Sequence, residues 1–133
     1  MFDLTGKNVL VTGASGGIGG EIARRLHASG ATVGISGTRL EPLQALAAEL
    51  GERAHVLSCN LSDTAAVAEL PKQASEVMGS VDVLVNNAGI QHVAPIEAFA
   101  PEKWDAVLAI NLSSAFHTTA VALPMMRQAG WGR

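Results

Sequence analysis

The sequence predicts an α/β fold, a Rossmann-like doubly wound parallel sheet of about four strands in the order 3-2-1-4 with helices on both faces. Three observations predict it. Short β-branched runs alternate with segments of helical period, and glycines punctuate the alternation. Strands that are apolar on both faces need helices on both sides. At 133 residues, 48% of them hydrophobic, the chain is long enough to bury a core without disulfides or a structural metal.

The elements follow in order. Residues 8–12, NVLVT, are a strand that stops at glycines, and Ile18, Ile22, Ala23 and Leu26 then recur at helical spacing until Ser29-Gly30. Residues 32–36 form the second strand. Residues 40–50 form a helix with Leu43, Leu46, Ala47 and Leu50 on one face and Gly51 as its stop. Residues 54–58 are the third strand; Ser62 or Asp63 caps a helix over about 64–77, which Gly79 ends. The fourth strand, VDVLV at 81–85, runs into Asn86-Asn87-Ala88-Gly89, and residues 90–100 have too much proline and too little period to be regular. Pro101-Glu102 opens a helix to about 109, and a second helix spans about 112–128 with Pro124 a kink near its end. Right-handed crossovers place these helices on alternate faces. With no linker or low-complexity stretch, residues 1–133 read as one domain.

Composition removes several functional classes. A net charge of -3 without a Lys/Arg stripe is a poor match for nucleic acid, whose affinity comes mainly from phosphate neutralisation. Cys59 is alone, and His27, His55, His92 and His117 lack ligand spacing, so no disulfide or metal centre is expected. No run approaches the about 20 apolar residues of a membrane helix, and MFDLTGK lacks the layout of a signal peptide; the expected location is cytoplasmic.

The stretch TGASGGIGG, residues 12–20, carries the chemistry. A helix N-terminus offers unpaired amides and a partial positive charge, so a pyrophosphate gains hydrogen bonds and favourable electrostatics there if the loop is slim. Gly13 suits the turn after the strand, Gly17 lets backbone approach phosphate, and Gly19 lets the helix sit close to the sheet.

Thr12-Gly13-x-x-x-Gly17-Ile18-Gly19 resembles the cofactor motif of the short-chain dehydrogenase/reductase family, and Asn86-Asn87-Ala88-Gly89 resembles its second signature. The resemblance implies pyrophosphate at Gly13, Ser15, Gly17, Ile18 and Gly19, adenine against Asn60 and Leu61, and the nicotinamide ribose near Asn87, Ala88 and Gly89. Asn111 matches the family's catalytic-site asparagine, which holds a water in a proton relay. At the end of the second strand, where a carboxylate would accept from the adenosine ribose, this chain has Ser36-Gly37-Thr38-Arg39. Hydroxyls and a guanidinium at Thr38 and Arg39 suit a 2′-phosphate, which favours NADP(H), with NAD(H) the alternative.

Residues 1–89 resemble the 3-oxoacyl-(acyl carrier protein) reductases, NADPH enzymes of fatty-acid synthesis, in FDLTGK, TGASGGIG, GTRLEPL and CNLSD. Residues 86–133 resemble the D-3-hydroxybutyrate dehydrogenases, NAD enzymes, in NNAGIQHVAPIEAF, EKWDAVLAINLSSAFHTT and WGR. The two resemblances, changing over at 86–90, imply as one expectation a recombined or engineered chain, with a truncated one the other. In the second group the glutamine matching Gln91 contacts the substrate carboxylate. The family's acid/base tyrosine, its lysine and its serine have no counterpart: the chain holds no tyrosine and ends at Arg133. It is therefore expected to be inactive alone, as a cofactor-binding half or as a folding or assembly unit with a vestigial site; a complementary C-terminal fragment is one expected partner. Strand 81–85 should present an open apolar edge, so the chain is expected to self-associate through that edge or through the helices of 101–128.

Overall fold

The computed structural model describes residues 2–133. Four parallel strands, β1 (Asn8–Val11), β2 (Thr32–Gly37), β3 (Ala54–Ser58) and β4 (Val83–Val85), lie in the order β3-β2-β1-β4. The predicted 3-2-1-4 order is what forms. Helices α1 (Gly17–Ala28), α2 (Leu40–Leu50) and α3 (Thr64–Met78) provide the crossovers, and α4 (Pro101–Leu108) and α5 (Ser114–Ala129) follow β4.

Alternation along β1 builds the two core layers. Val9 and Val11 point to one face with Val33 and Ile35, against Ala23 of α1 and Leu43 and Leu46 of α2. Leu10 points to the other with Leu57, against Val67, Leu70 and Ala74 of α3. Each fully buried side chain of this size contributes on the order of 1.5–3 kcal/mol of transfer free energy. The central strand therefore belongs to both layers.

Three local expectations change. The fourth strand begins at Val83, because Asp82 is taken up in capping β1: its Oδ2 accepts from the Asn8 amide at 2.8 Å and from Ser80 Oγ at 3.1 Å. The two helices predicted at 101–109 and 112–128 are one, continuous over Pro101–Ala129, joined by a π-turn at Ala109–Ser113. The break expected at Ile110-Asn111 falls within this widened turn, which absorbs it without ending the helix. By length and composition this helix is long enough and apolar enough to cross a membrane, a length hidden when the segment is read as two helices. One side of it packs on α3. Finally, the β4 edge is not fully open. Leu84 N donates to Arg133 O at 2.9 Å and Arg133 N donates to Asp82 O at 3.1 Å, one parallel rung held in place by Lys7 Nζ over the Trp131 ring at 4.1 Å.

Candidate functional site

The site lies at the C-terminal ends of β1 and β4, joined by Thr12. Its buried Oγ1 accepts from Asn87 N and Ala88 N, both at 3.1 Å, and donates to Val85 O at 3.3 Å. Asn87 returns the tie, its Nδ2 donating to Thr12 O at 3.0 Å and to Gly13 O at 3.3 Å. Two motifs about seventy residues apart are thereby one rigid unit, with Asn87 spent on holding the glycine loop.

The glycines divide into two kinds. Gly13 has φ +68°, and a Cβ there would lie 2.7 Å from Ala88 Cα; a Cβ on Gly19 would run into the Gly13 carbonyl oxygen. These two are required by the protein's own packing. Gly17, first residue of α1, has nothing within 4 Å of where its Cβ would be. The N-terminus of α1 has no side-chain cap and no acidic residue in its first turn, so its amides and dipole face the solvent of a cleft. An open glycine at an uncapped helix start is a cradle that a Cβ would fill, and it fits a pyrophosphate.

That cleft has a volume of about 450 Å³ and is walled by the glycine loop, Gly37 to Arg39, Cys59, Leu61 and residues 87–90, with Ile110 at the end. Of the sequence-predicted residues, Gly13, Ser15, Gly17, Ile18, Gly19, Thr38, Arg39, Leu61, Asn87, Ala88 and Gly89 come together there. Asn60 does not line it: it is exposed, and its Oδ1 accepts from Ser62 N at 3.0 Å. Gln91 is exposed and outside the walls. Asn111, exposed on the π-turn, is not part of the wall either. Its Oδ1 accepts from Ile90 N at 2.7 Å and its Nδ2 donates to Ile90 O at 2.8 Å, so both ends of the amide hold the loop after β4.

Electrostatically the cleft is one-sided. Arg39 is the charged side chain of its wall among the described residues, and its Nη2 donates to Ser15 O at 2.9 Å, across the mouth of the glycine loop. Burial pushes the Cys59 thiol above its ordinary range, and the Asp63 carboxylate adds to the effect. Sequence reasoning named Thr12 and Gly37 within their motifs but gave them no role of their own, and it missed Cys59, Ile90 and Ile110. Only Thr12 carried a signal, a hydroxyl at the last position before the loop. A Cβ on Gly37 would sit 2.7 Å from Ser15 Oγ, so the Ser15 side chain occupies the space a larger residue would take, a contact that sequence does not show.

The family model described as short chain dehydrogenase matches residues 7–133. The chain belongs to the short-chain dehydrogenase family. It is 47% identical to D-beta-hydroxybutyrate dehydrogenase of Cupriavidus necator over 98% of its length, and 42% identical to a 3-oxoacyl-(acyl-carrier-protein) reductase of Rickettsia conorii over 100%. This short-chain dehydrogenase chain spans about half of those curated relatives, 52% and 54%. Among solved structures, a metagenomic short-chain oxidoreductase in complex with NADP superposes with TM-score 0.91 at 36% identity, over 96% of this chain and 60% of that one. A short-chain alcohol dehydrogenase from Sinorhizobium meliloti gives the same TM-score at 39% identity, over 98% of this chain and 53% of its own. Family membership and the Rossmann-like sheet agree with the site's place at the C-terminal ends of the strands.

Proposed function

We propose that this chain is the dinucleotide-holding part of an NAD(P)(H)-dependent oxidoreductase acting on 3-oxoacyl or 3-hydroxyacyl substrates, and that it takes NADP(H) in preference to NAD(H). The observation that carries the reading is the uncapped start of α1 with Gly17 open beneath it. The amides of the first turn would hold the pyrophosphate, and Thr38 and Arg39 the 2′-phosphate; Leu61 and Cys59 would flank the adenine, with Asn60 outside that contact. Ala88 and Gly89 would face the nicotinamide ribose, while Asn87 keeps the loop in place. The bound nicotinamide supplies hydride exchange with a carbonyl carbon. Asn111 contributes by fixing Ile90, and Gln91, exposed on the next residue, would donate to a substrate carboxylate.

The acid on which the family relies for proton transfer to the substrate oxygen is a tyrosine, and these 133 residues contain none, so on this reading they bind cofactor without turnover. The proposed location is the cytoplasm. The proposed self-association uses the long helix, where Trp104, Leu108, Leu112 and Phe116 are all exposed. Three four-residue steps drift about 120° in all on an α-helix, and the π-turn at Ala109–Ser113 takes up about one extra residue, about 100° of that drift, keeping the four close to one stripe.

Calorimetric titration with NADPH and NADH tests the cofactor reading. NADPH should bind about tenfold more tightly than NADH, and Arg39→Ala should remove that preference. No binding of either at millimolar concentration would leave the folding-unit reading.

A further inference from the structure

Residues 87–90 wall one end of the cofactor cleft. Thr12 fixes Asn87 and Ala88 from the end of β1, and Asn111 fixes Ile90 from the long helix. The residue that leads into this run, Asn86, is held by another side chain, Thr118 of α5. Thr118 Oγ1 donates to Asn86 Oδ1 at 2.8 Å, and Asn86 Nδ2 donates to Thr119 Oγ1 at 3.3 Å. We propose that Thr118 is a positioning residue for the nicotinamide end of the cofactor, latching to α5 the start of the loop that walls that end. The inference rests on the cofactor reading.

A helical threonine often spends its hydroxyl on the carbonyl one turn back, and Ser114 O lies 3.0 Å from Thr118 Oγ1. That bond and the latch are compatible, because the Asn86 amide can present either end. With its NH2 group donating to Thr118 Oγ1, the hydroxyl proton goes to Ser114 O, and Thr119 Oγ1 donates to the amide oxygen. In both orientations Asn86 and Thr118 stay bonded. Thr118 is buried in the helix packing whereas Asn86 is exposed, so the helix is the fixed partner and the loop is what it fixes. Asn111 and Thr118, both on the continuous helix, grip the two ends of residues 86–90. Without the latch, the exposed Asn86 turns to water at little cost to folding, and the loop keeps one anchor on the helix instead of two.

Calorimetric titration of the chain with NADPH and with adenosine 2′,5′-bisphosphate, which fills only the adenine and 2′-phosphate end, tests this. Thr118→Val keeps the branched shape and removes the hydroxyl. It should raise the Kd for NADPH by about tenfold and leave that for the bisphosphate within about twofold, while Thr118→Ser restores NADPH affinity. Asn86→Ala, which breaks the pair from its exposed side, should reproduce Thr118→Val. Unchanged NADPH affinity in folded Thr118→Val and Asn86→Ala chains would overturn the proposal, as would equal weakening of both ligands. If the unaltered chain binds neither ligand, the cofactor reading fails, and hydrogen exchange at the Ala88 amide decides the latch: about fivefold faster exchange in Thr118→Val but not in Thr118→Ser supports it, and equal rates overturn it.

Discussion

The helix starts of α1 and α3 both follow a parallel strand and a short loop, yet they are finished in opposite ways. At α3, Asp63 Oδ1 accepts from Ala65 N at 3.0 Å and from Ala66 N at 3.2 Å, so the chain satisfies its own orphan amides. At α1 the cap is Gly16, with no side-chain bond and an open Gly17 behind it. The difference teaches where stability and ligand binding separate. An end capped from within contributes to folding, and an end left bare leaves its amides to water or to a ligand.

Substitutions can break this comparison at several strengths. The largest effect is expected for Gly19→Val, which drives a side chain into the Gly13 carbonyl and should cost about 3 kcal/mol in denaturant unfolding while abolishing NADPH binding. Thr12→Val comes next. It keeps the shape but leaves the Asn87 and Ala88 amides without their acceptor, a loss of about 2 kcal/mol, with weaker NADPH binding because the two motifs are no longer tied. Asp63→Ala should cost about 1 kcal/mol and leave NADPH affinity unchanged in the same titration, since the cap serves only the fold.

A smaller effect concerns pH. Burial raises the Cys59 thiol, so the folded state disfavours the thiolate. Its contribution to stability is complete below the ordinary thiol value of about 8.5 and is lost as pH rises through the raised folded value. Unfolding midpoints should fall in that alkaline window, and Cys59→Ser should flatten the decline. Thiol labelling should be slow at neutral pH and slower still with NADPH in the cleft that Cys59 lines.

What was legible in the sequence is what local pattern encodes. Val9, Leu10 and Val11 announce a strand buried on both faces, and Gly13, Gly17 and Gly19 announce a slim loop before a helix; both are short-range properties. The packing reasons behind the glycines were only half legible, since Gly13 and Gly19 answer to Ala88 and to each other across the fold, whereas Gly17 answers to nothing in the chain. Asn111 stood out by resemblance, but its grip on Ile90 depends on a π-turn that periodicity reads as a helix break. The rung at Arg133 was invisible for a similar reason: pairing between residues 82–84 and 133 is a long-range choice that no window contains.

The central claim is that the bare start of α1 is kept open for phosphate, and Gly17→Ala tests it most directly. Alanine fits the helix start without strain, so the thermal midpoint should stay level or rise slightly while the calorimetric Kd for NADPH weakens by about tenfold or more. Unchanged NADPH affinity in a folded Gly17→Ala chain would contradict the account.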